Sequence, residues 1–154
     1  MNVHGDQRAM RAEPSAGQAG GLRSIRARIE RLLEWAEILP PAERSLLRCA
    51  YDWGVSSREI SLLTGQTPRV IRRRIRAVLK RVNSPAFQTT ARLLDTLPEH
   101  RREIARLVVL HGLTQRTAAA KLGITMHRVR RELLAIEAMC EIARQTGSGR
   151  LSVA

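Results

Sequence analysis

Aromatic side chains are scarce in this chain: one Phe, one Tyr and two Trp, 3% of 154 residues. That scarcity argues against a base-stacking platform, which sets several rings on one exposed face. It also argues against a membrane-surface helix, which inserts a Trp- and Phe-rich face between lipids. Long apolar runs are missing as well. An aliphatic stretch as long as Leu107 to Leu110 is already unusual here, far short of the roughly 20 residues that a membrane-spanning helix takes. Cysteine is limited to Cys49 and Cys140. Both fall on the apolar side of expected helices, far apart in sequence, and read as buried thiols in a reducing cytoplasm. His4, His100, His111 and His127 show no metal-ligand spacing with one another or with the cysteines, so no metal or cofactor is expected. No nucleophile–base pair or phosphate-cradling glycine loop is present, and the chain does not read as an enzyme.

Acid is the other deficit. Fourteen Asp and Glu stand against 27 Lys and Arg, giving a formal net charge of +13, while 44% apolar residues suffice for a buried core. A polyanion is then the default partner, and nucleic acid leads because phosphates reward clustered cations. The excess is uneven. Residues 1–38 carry 6 basic and 5 acidic groups, residues 39–82 carry 10 and 3, and residues 83–154 carry 11 and 6.

Shifted by 58 residues, the chain overlays on itself without a gap. Leu39-Pro40 meets Leu97-Pro98, Arg44 meets Arg102, and Gly54, Arg58, Gly65 and Thr67 meet Gly112, Arg116, Gly123 and Thr125. Arg72-Arg73 falls on Arg130-Arg131, with Ile71 and Ile75 on Val129 and Leu133. The register predicts an all-α protein of two tandem four-helix units, each containing a helix-turn-helix. Residues 1–21 read as a flexible N-terminal tail without the apolar core of a signal peptide. Residues 22–82 form the first module, 83–85 a linker, 86–144 the second module and 145–154 a flexible C-terminal tail. In the first module Ile25, Ile29, Leu32, Leu33 and Ala36 recur at amphipathic-helix spacing. A second helix over about 42–53 ends at Gly54, and Ser56 caps a third over 57–64 that stops at Gly65. Thr67 caps the fourth, with Pro68 at the first helical position. The second module is expected to place helices at about 86–96, 99–111, 115–122 and 126–144. Trp35, Tyr51 and Trp53 are expected to fill gaps between helices of the first module.

The stretch "TPRVIRRRIRAVLKRV", residues 67–82, holds seven cations and no acid. At 100° per residue Ile71, Ile75, Val78 and Val82 form one apolar stripe, and Arg69, Arg72, Arg73, Arg76 and Lys80 share an opposite arc about 100° wide. Arg74 and Arg81 flank the stripe. Solvated helix faces usually interleave Glu with Lys, so unrelieved like charge on one face points to an anionic partner. Arg69, Arg72 and Arg73, near the helix start, are candidates for base edges, with Arg76 and Lys80 meeting phosphates. Ser56, Ser57 and Arg58, at the start of the third helix, are candidates for holding a phosphate. Their counterparts are Thr114, Gln115 and Arg116. In the second module His127, Arg128, Arg130 and Arg131 keep the basic helix start, His127 for a polar or phosphate contact. Leu134 and Ala138 replace Arg76 and Lys80, Glu132, Glu137 and Glu141 add acid, and Ile142 extends the apolar side chains. Those later turns either pack on the first module or meet another copy or a protein partner.

"LPPAERSLLRCAYDWGVSSREISLLTGQTPRVIRRRIRAVLKRV" and "LPEHRREIARLVVLHGLTQRTAAAKLGITMHRVRRELLAIEAM" resemble the region-four DNA-binding module of bacterial sigma factors. The matching features are the Leu-Pro opening, the following Arg, the Gly before the third helix and Glu59-Ile60. The turn glycines Gly65 and Gly123 and the pairs Ile71-Arg72 and Val129-Arg130 complete the likeness. In that family the module reads the promoter −35 element through its fourth helix and touches the flap of RNA polymerase. The resemblance therefore implicates Arg69, Arg72, Arg73 and Arg76, then His127, Arg130 and Arg131. No stretch resembles region two, and Thr117-Ala118 stands where the first module has Glu59-Ile60. The expectation is a cytoplasmic transcription regulator that binds double-stranded DNA, with RNA polymerase or another regulator as a possible partner of the second module. The alternatives are an adaptor docking on RNA polymerase and the DNA-binding subunit of a transposase or phage terminase.

Overall fold

The structure is a computed structural model that describes the backbone of residues 16–149 and the side chains of residues 24–146. Among the described residues all regular structure is helical, and no strand occurs. Helix α1 spans Ala16–Ala36 and α2 Pro41–Leu47, which continues as a π turn over Arg48–Asp52. Then come α3 (Ser57–Thr64), α4 (Pro68–Val82) and α5 (Pro85–Leu93), the last tightening into a 3₁₀ turn over Leu94–Thr96. Next α6 (Glu99–Ile104) widens into a π turn over Ala105–Leu110, and α7 (Gln115–Leu122) and α8 (Met126–Gly149) follow. The expected elements thus recur with shifted ends. Residues 16–21, expected in a tail, belong to α1, and α8 runs to 149 rather than 144. The rest of both expected tails, 1–15 and 150–154, lies outside the described residues. Ile25 is 55% exposed rather than part of the α1 core stripe.

Local chemistry fixes the boundaries. Pro sits at the first turn of α2, α4 and α5, where its missing N–H has no helical partner to lose. The Ser56, Thr67, Ser84 and Thr114 hydroxyls accept hydrogen bonds from the amides of Glu59, Val70, Phe87 and Thr117, satisfying orphan donors at four helix starts. The anticipated linker is therefore a tight junction, with Asn83 ending α4 and Ser84 opening α5.

Hydrogen bonds repeat at the 58-residue interval. Trp53 N–H donates to the Arg48 carbonyl at 3.0 Å and His111 N–H to Arg106 at 2.8 Å; Val55 bonds Cys49 at 2.8 Å and Leu113 bonds Leu107 at 3.0 Å. Arg44 Nη2 donates to the carbonyls of Glu37 (2.7 Å) and Leu39 (3.3 Å). Arg102 Nη2 does the same to Asp95 and Leu97, both at 3.2 Å. Each arginine bridges the end of one helix to the Leu-Pro break before the next, which accounts for an Arg at that place in both halves.

Two cores result, and they are joined. The first gathers Leu39, Leu47, Ile60, Ile71, Ile75, Val78 and Val82 with Phe87 from α5 and Leu110 from the end of α6. The second gathers Leu97, Ile104, Ala105, Ala119, Val129, Leu133, Ile136 and Cys140. Phe87 meets Trp35 edge-on at 6.1 Å, and Arg92, also of α5, lies over the Trp35 ring with its guanidinium carbon 5.9 Å from the ring centroid. From the same α5, the Thr90 hydroxyl lies 3.4 Å from Cys140 Sγ, buried in the second half. Cys140 is buried as expected, whereas Cys49 is only half-buried. Of the aromatics expected between helices, Trp35 and Tyr51 pack against the first core, but Trp53 is 66% exposed at the end of the π turn.

Polar contacts reinforce the joint. Arg81, at the end of α4, pairs with Glu43 of α2 and lies against Gly112, after α6. Gly112 has φ +69°, and a Cβ there would fall 2.3 Å from Arg81 Nη1; Gly54, with φ +65°, has open space around its missing Cβ. Gly54→Ala should therefore cost about 1 kcal/mol for backbone strain alone, and Gly112→Ala up to about 1 kcal/mol more, because its Cβ must push the Arg81 guanidinium away from Glu43; urea denaturation of the two variants checks the difference. His111 is half-buried. Burial, chiefly, and then the charges of Arg106 and Arg81 hold its pKa below the ordinary 6.5, against the opposing pull of the Ile38 backbone and Glu43. The unfolded chain then binds the proton more readily, so stability falls as pH drops through about 6.5. Comparing urea midpoints at pH 7 and pH 5, His111→Gln should lose less stability than the unaltered chain.

Candidate nucleic-acid interface

Helix α4 separates its side chains by chemistry. Ile71, Ile75, Val78 and Val82 are buried. Arg69, Arg72, Arg73, Arg76 and Lys80 are exposed, as their spacing implies, while Arg74 and Arg81 are half-buried beside the stripe. The flanking pair have local partners: Arg74 Nη1 donates to Gln66 Oε1 at 3.0 Å, and Arg81 pairs with Glu43. Among the described residues the five exposed cations have neither an ion-pair partner nor a side-chain hydrogen bond. Three neighbours four apart (Arg69 and Arg73, Arg72 and Arg76, Arg76 and Lys80) face each other with like charge. Such pairs cost a few tenths of a kcal/mol each.

The turn before α4 orients this face. Gly65 ends α3 in the left-handed region at φ 68°, and Thr67 opens α4 two residues later. Gly123 (φ 64°) makes the same turn between α7 and α8, and Thr125 Oγ1 accepts from Arg128 N–H at 3.2 Å. In each half a short helix is thus packed against a longer basic one across a tight turn.

The expected phosphate site at the start of α3 is partly taken. Ser56 N–H donates to Glu59 Oε2 at 2.8 Å, and the Ser56 hydroxyl accepts from Glu59 N–H at 3.2 Å. These bonds hold the Glu59 carboxyl below its usual range, so an internal anion already occupies this helix end. Ser56 is accordingly corrected from a phosphate ligand to a cap. Ser57 is half-buried, and Arg58 is the one exposed cation of the three. The equivalent end of α7 has Thr117 in place of Glu59. The Thr114 hydroxyl caps Thr117 N–H at 3.1 Å, and no carboxylate intrudes. Gln115 Oε1 accepts from Arg130 Nε at 3.3 Å, which brings the start of α7 beside the second turn of α8. Arg116, His127, Arg128, Arg130 and Arg131 are all exposed there.

Comparison with protein-family models, with curated proteins and with solved structures finds no match for this chain.

Two acids of α8 differ from expectation. Glu132 is 6% exposed and does not add to the outer face. Its carboxylate accepts from Arg101 Nε at 2.7 Å and Arg131 Nη2 at 3.4 Å, and lies 3.5 Å from His100 Nε2. The Arg101 bond is the main reason its pKa is lowered, outweighing its desolvation. Glu132 thus ties α8 to α6, and part of the Arg131 charge is answered within the chain. Glu141 is exposed but paired with Arg144 at 2.6 Å. Nor do the later turns of α8 pack on the first half, since Leu134 and Ile142 are 66% and 61% exposed.

Sequence reasoning overlooked Arg101 with Glu132, and His111 with Ile38. Neither pair is close in sequence, and only the folded packing of α6 reveals them. No helix among the described residues is long and apolar enough to cross a membrane, and no group of three or more metal-binding side chains converges.

If the five exposed cations have no structural duty, removing them should not harm the fold. Arg72→Gln, Arg73→Gln and Arg76→Gln combined should leave stability unchanged or raise it by about 1 kcal/mol as repulsion is relieved. Arg81→Gln should lower it by about 1–3 kcal/mol by stranding Glu43. Thermal unfolding followed by circular dichroism separates the two outcomes.

Proposed function

We propose that the chain is a DNA-binding transcription regulator built from two tandem four-helix units, each with a helix-turn-helix of the sigma-region-four kind. The observation that carries this reading is the face of α4, with five exposed cations and no partner for them among the described residues. A charged surface kept only for solubility gains from interleaved acid, which α4 lacks; a phosphate backbone removes the repulsion by supplying the missing anion. The tight turn at Gly65 supports the same conclusion, because it leaves α4 projecting as the second helix of the pair.

On this reading Arg69, Arg72 and Arg73 enter the major groove at the start of α4, and Arg76 and Lys80 lie along the phosphates. The first turn of α8 makes a second, weaker contact through His127, Arg128 and Arg130, with Arg58 and Arg116 reaching the backbone beside each helix. Two such contacts in one chain favour a direct-repeat site. Control of transcription rests on the resemblance to the sigma-factor module, and DNA binding on the charge pattern.

Selection of bound sequences from a random DNA pool, followed by fluorescence anisotropy on the selected site, tests the proposal. Arg73→Ala should weaken binding to that site by about 1–3 kcal/mol and relax its sequence preference. With Z phosphates neutralised, log K should fall against log salt with slope about −0.9Z. Affinity that hardly changes between low and moderate salt would sink the electrostatic argument. An equal loss on all sequences would demote Arg73 to a phosphate contact.

A further inference from the structure

A groove of about 680 Å³ lies between α1, the π turn after α2, the end of α4 and α5. Its apolar lining is Ile25, Ile29 and Leu32 of α1 with Leu79 of α4. None of these four is fully buried, and Ile25 is 55% exposed, so the chain's own packing covers this surface only in part. Trp35 also lines the groove, held edge-on by Phe87. Small-molecule sites run to roughly 300–1,000 Å³ and combine apolar lining with a few placed polar groups. The groove has that size and that mixture.

Charge selects the ligand. The charged lining residues are Arg28 and Arg31 of α1, Arg92 of α5 and one acid, Glu34, so three cations face one carboxylate. All four are exposed, and none has an ion-pair partner among the described residues. Arg92 instead lies over the Trp35 ring. At 100° per residue, Trp35 sits about 20° to one side of Arg28 on α1 and Leu32 about 40° to the other. Glu34 is about 120° round from Arg28, too far round the helix to answer it. The uncharged polar groups add donors. The Trp35 indole N–H and the Tyr51 hydroxyl both belong to the lining and have no hydrogen-bond partner among the described residues. Gln88 is already engaged, its amide donating to the Val82 carbonyl at 3.3 Å. Arginines and free donors beside apolar surface favour a ligand with an anionic head and an apolar body.

We propose that this groove binds a small organic acid with an apolar aromatic or aliphatic body. Arg28 takes the carboxylate, because its planar guanidinium offers two parallel N–H donors to the two oxygens. Arg31 and Arg92 add attraction from either side of the groove. The body of the acid covers Ile25, Ile29 and Leu32 and lies against Trp35, removing apolar surface from water. Helix α4 enters the site only near its end, through Leu79 and Asn83, whereas Arg69, Arg72 and Arg73 stand at its start. The inference is independent of DNA binding and is tested without DNA.

Titration of the isotope-labelled full chain with naphthoate, and separately with decanoate, followed by NMR decides it. The chain has two Trp residues, and Trp53→Phe identifies which indole N–H signal belongs to Trp35. The expected result is a saturable shift of the Trp35 signal with a Kd below about 1 mM, while the Trp53 signal stays in place. A response to one acid and not the other supports the proposal and tells an aromatic from an aliphatic body. Arg28→Gln should weaken binding about tenfold or more with the helical circular-dichroism spectrum unchanged, since the side chain is exposed. Lys121→Gln, the same loss of charge at an exposed position of α7 outside the groove, should leave binding as it was. Naphthalenemethanol, neutral with the same rings, should bind at least about tenfold more weakly than naphthoate. No saturable shift with either acid up to about 10 mM overturns the proposal. So does an alcohol that binds as tightly as the acid, which would leave the arginines without a part. Binding insensitive to Arg28→Gln, or weakened equally by Lys121→Gln, overturns it as well, by reducing the attraction to the net charge of the chain.

Discussion

Helix α5 must serve two cores at once, and the arrangement of the other helices follows from that. Phe87 is fully buried among side chains of α1 to α4, while Thr90, one turn along, lies against Cys140 of α8. Truncating a buried Phe typically costs about 3–5 kcal/mol, a large share of the stability of a domain this size. Leu110 reinforces the joint from α6 by reaching into the first core. The boundary between the two copies of the repeat is thus a hydrophobic seam, although the sequence around residue 84 has the look of a spacer.

Against that shared frame, the two copies differ in what they leave uncovered. Both keep the arginine bridge at the Leu-Pro break, the π turn, the left-handed glycine and the Thr cap before the longer helix. Those features set the backbone. Side chains on the outer face are free of that constraint, and there the copies diverge: α4 holds cations along its length, whereas α8 is basic for its first turns and apolar afterwards. Local electrostatics explains the contrast better than fold does. The cations of α4 repel one another without internal relief, while those of α8 are partly answered by Gln115 and Glu132.

Much of this was legible in the residues themselves. Periodicity and caps located α3, α4 and α7 to the residue, because Ser56, Gly65, Thr67, Thr114 and Gly123 each act through local hydrogen bonds or backbone angles. The wheel of α4 sorted buried from exposed cations for the same reason. Contacts made across space were not legible. That Glu59 takes the amide of Ser56 is readable from the S-x-x-E spacing, and this internal carboxylate competes with a phosphate for the same helix start. By contrast, nothing near Glu132 in sequence announces Arg101, and nothing near His111 announces Ile38. Nor does anything near Trp53 in sequence announce its exposure at the close of the π turn. Leu134 and Ile142 were recognised as outward-facing, but their lack of an intramolecular partner depends on where α1 to α5 stop.

The seam at α5 also joins the fates of the two halves. Domains on a flexible tether unfold separately, whereas here Phe87 and Leu110 are buried in a core built mainly by α1 to α4, and Thr90 lies against Cys140. A cavity opened in this seam therefore loosens both hydrophobic clusters at once.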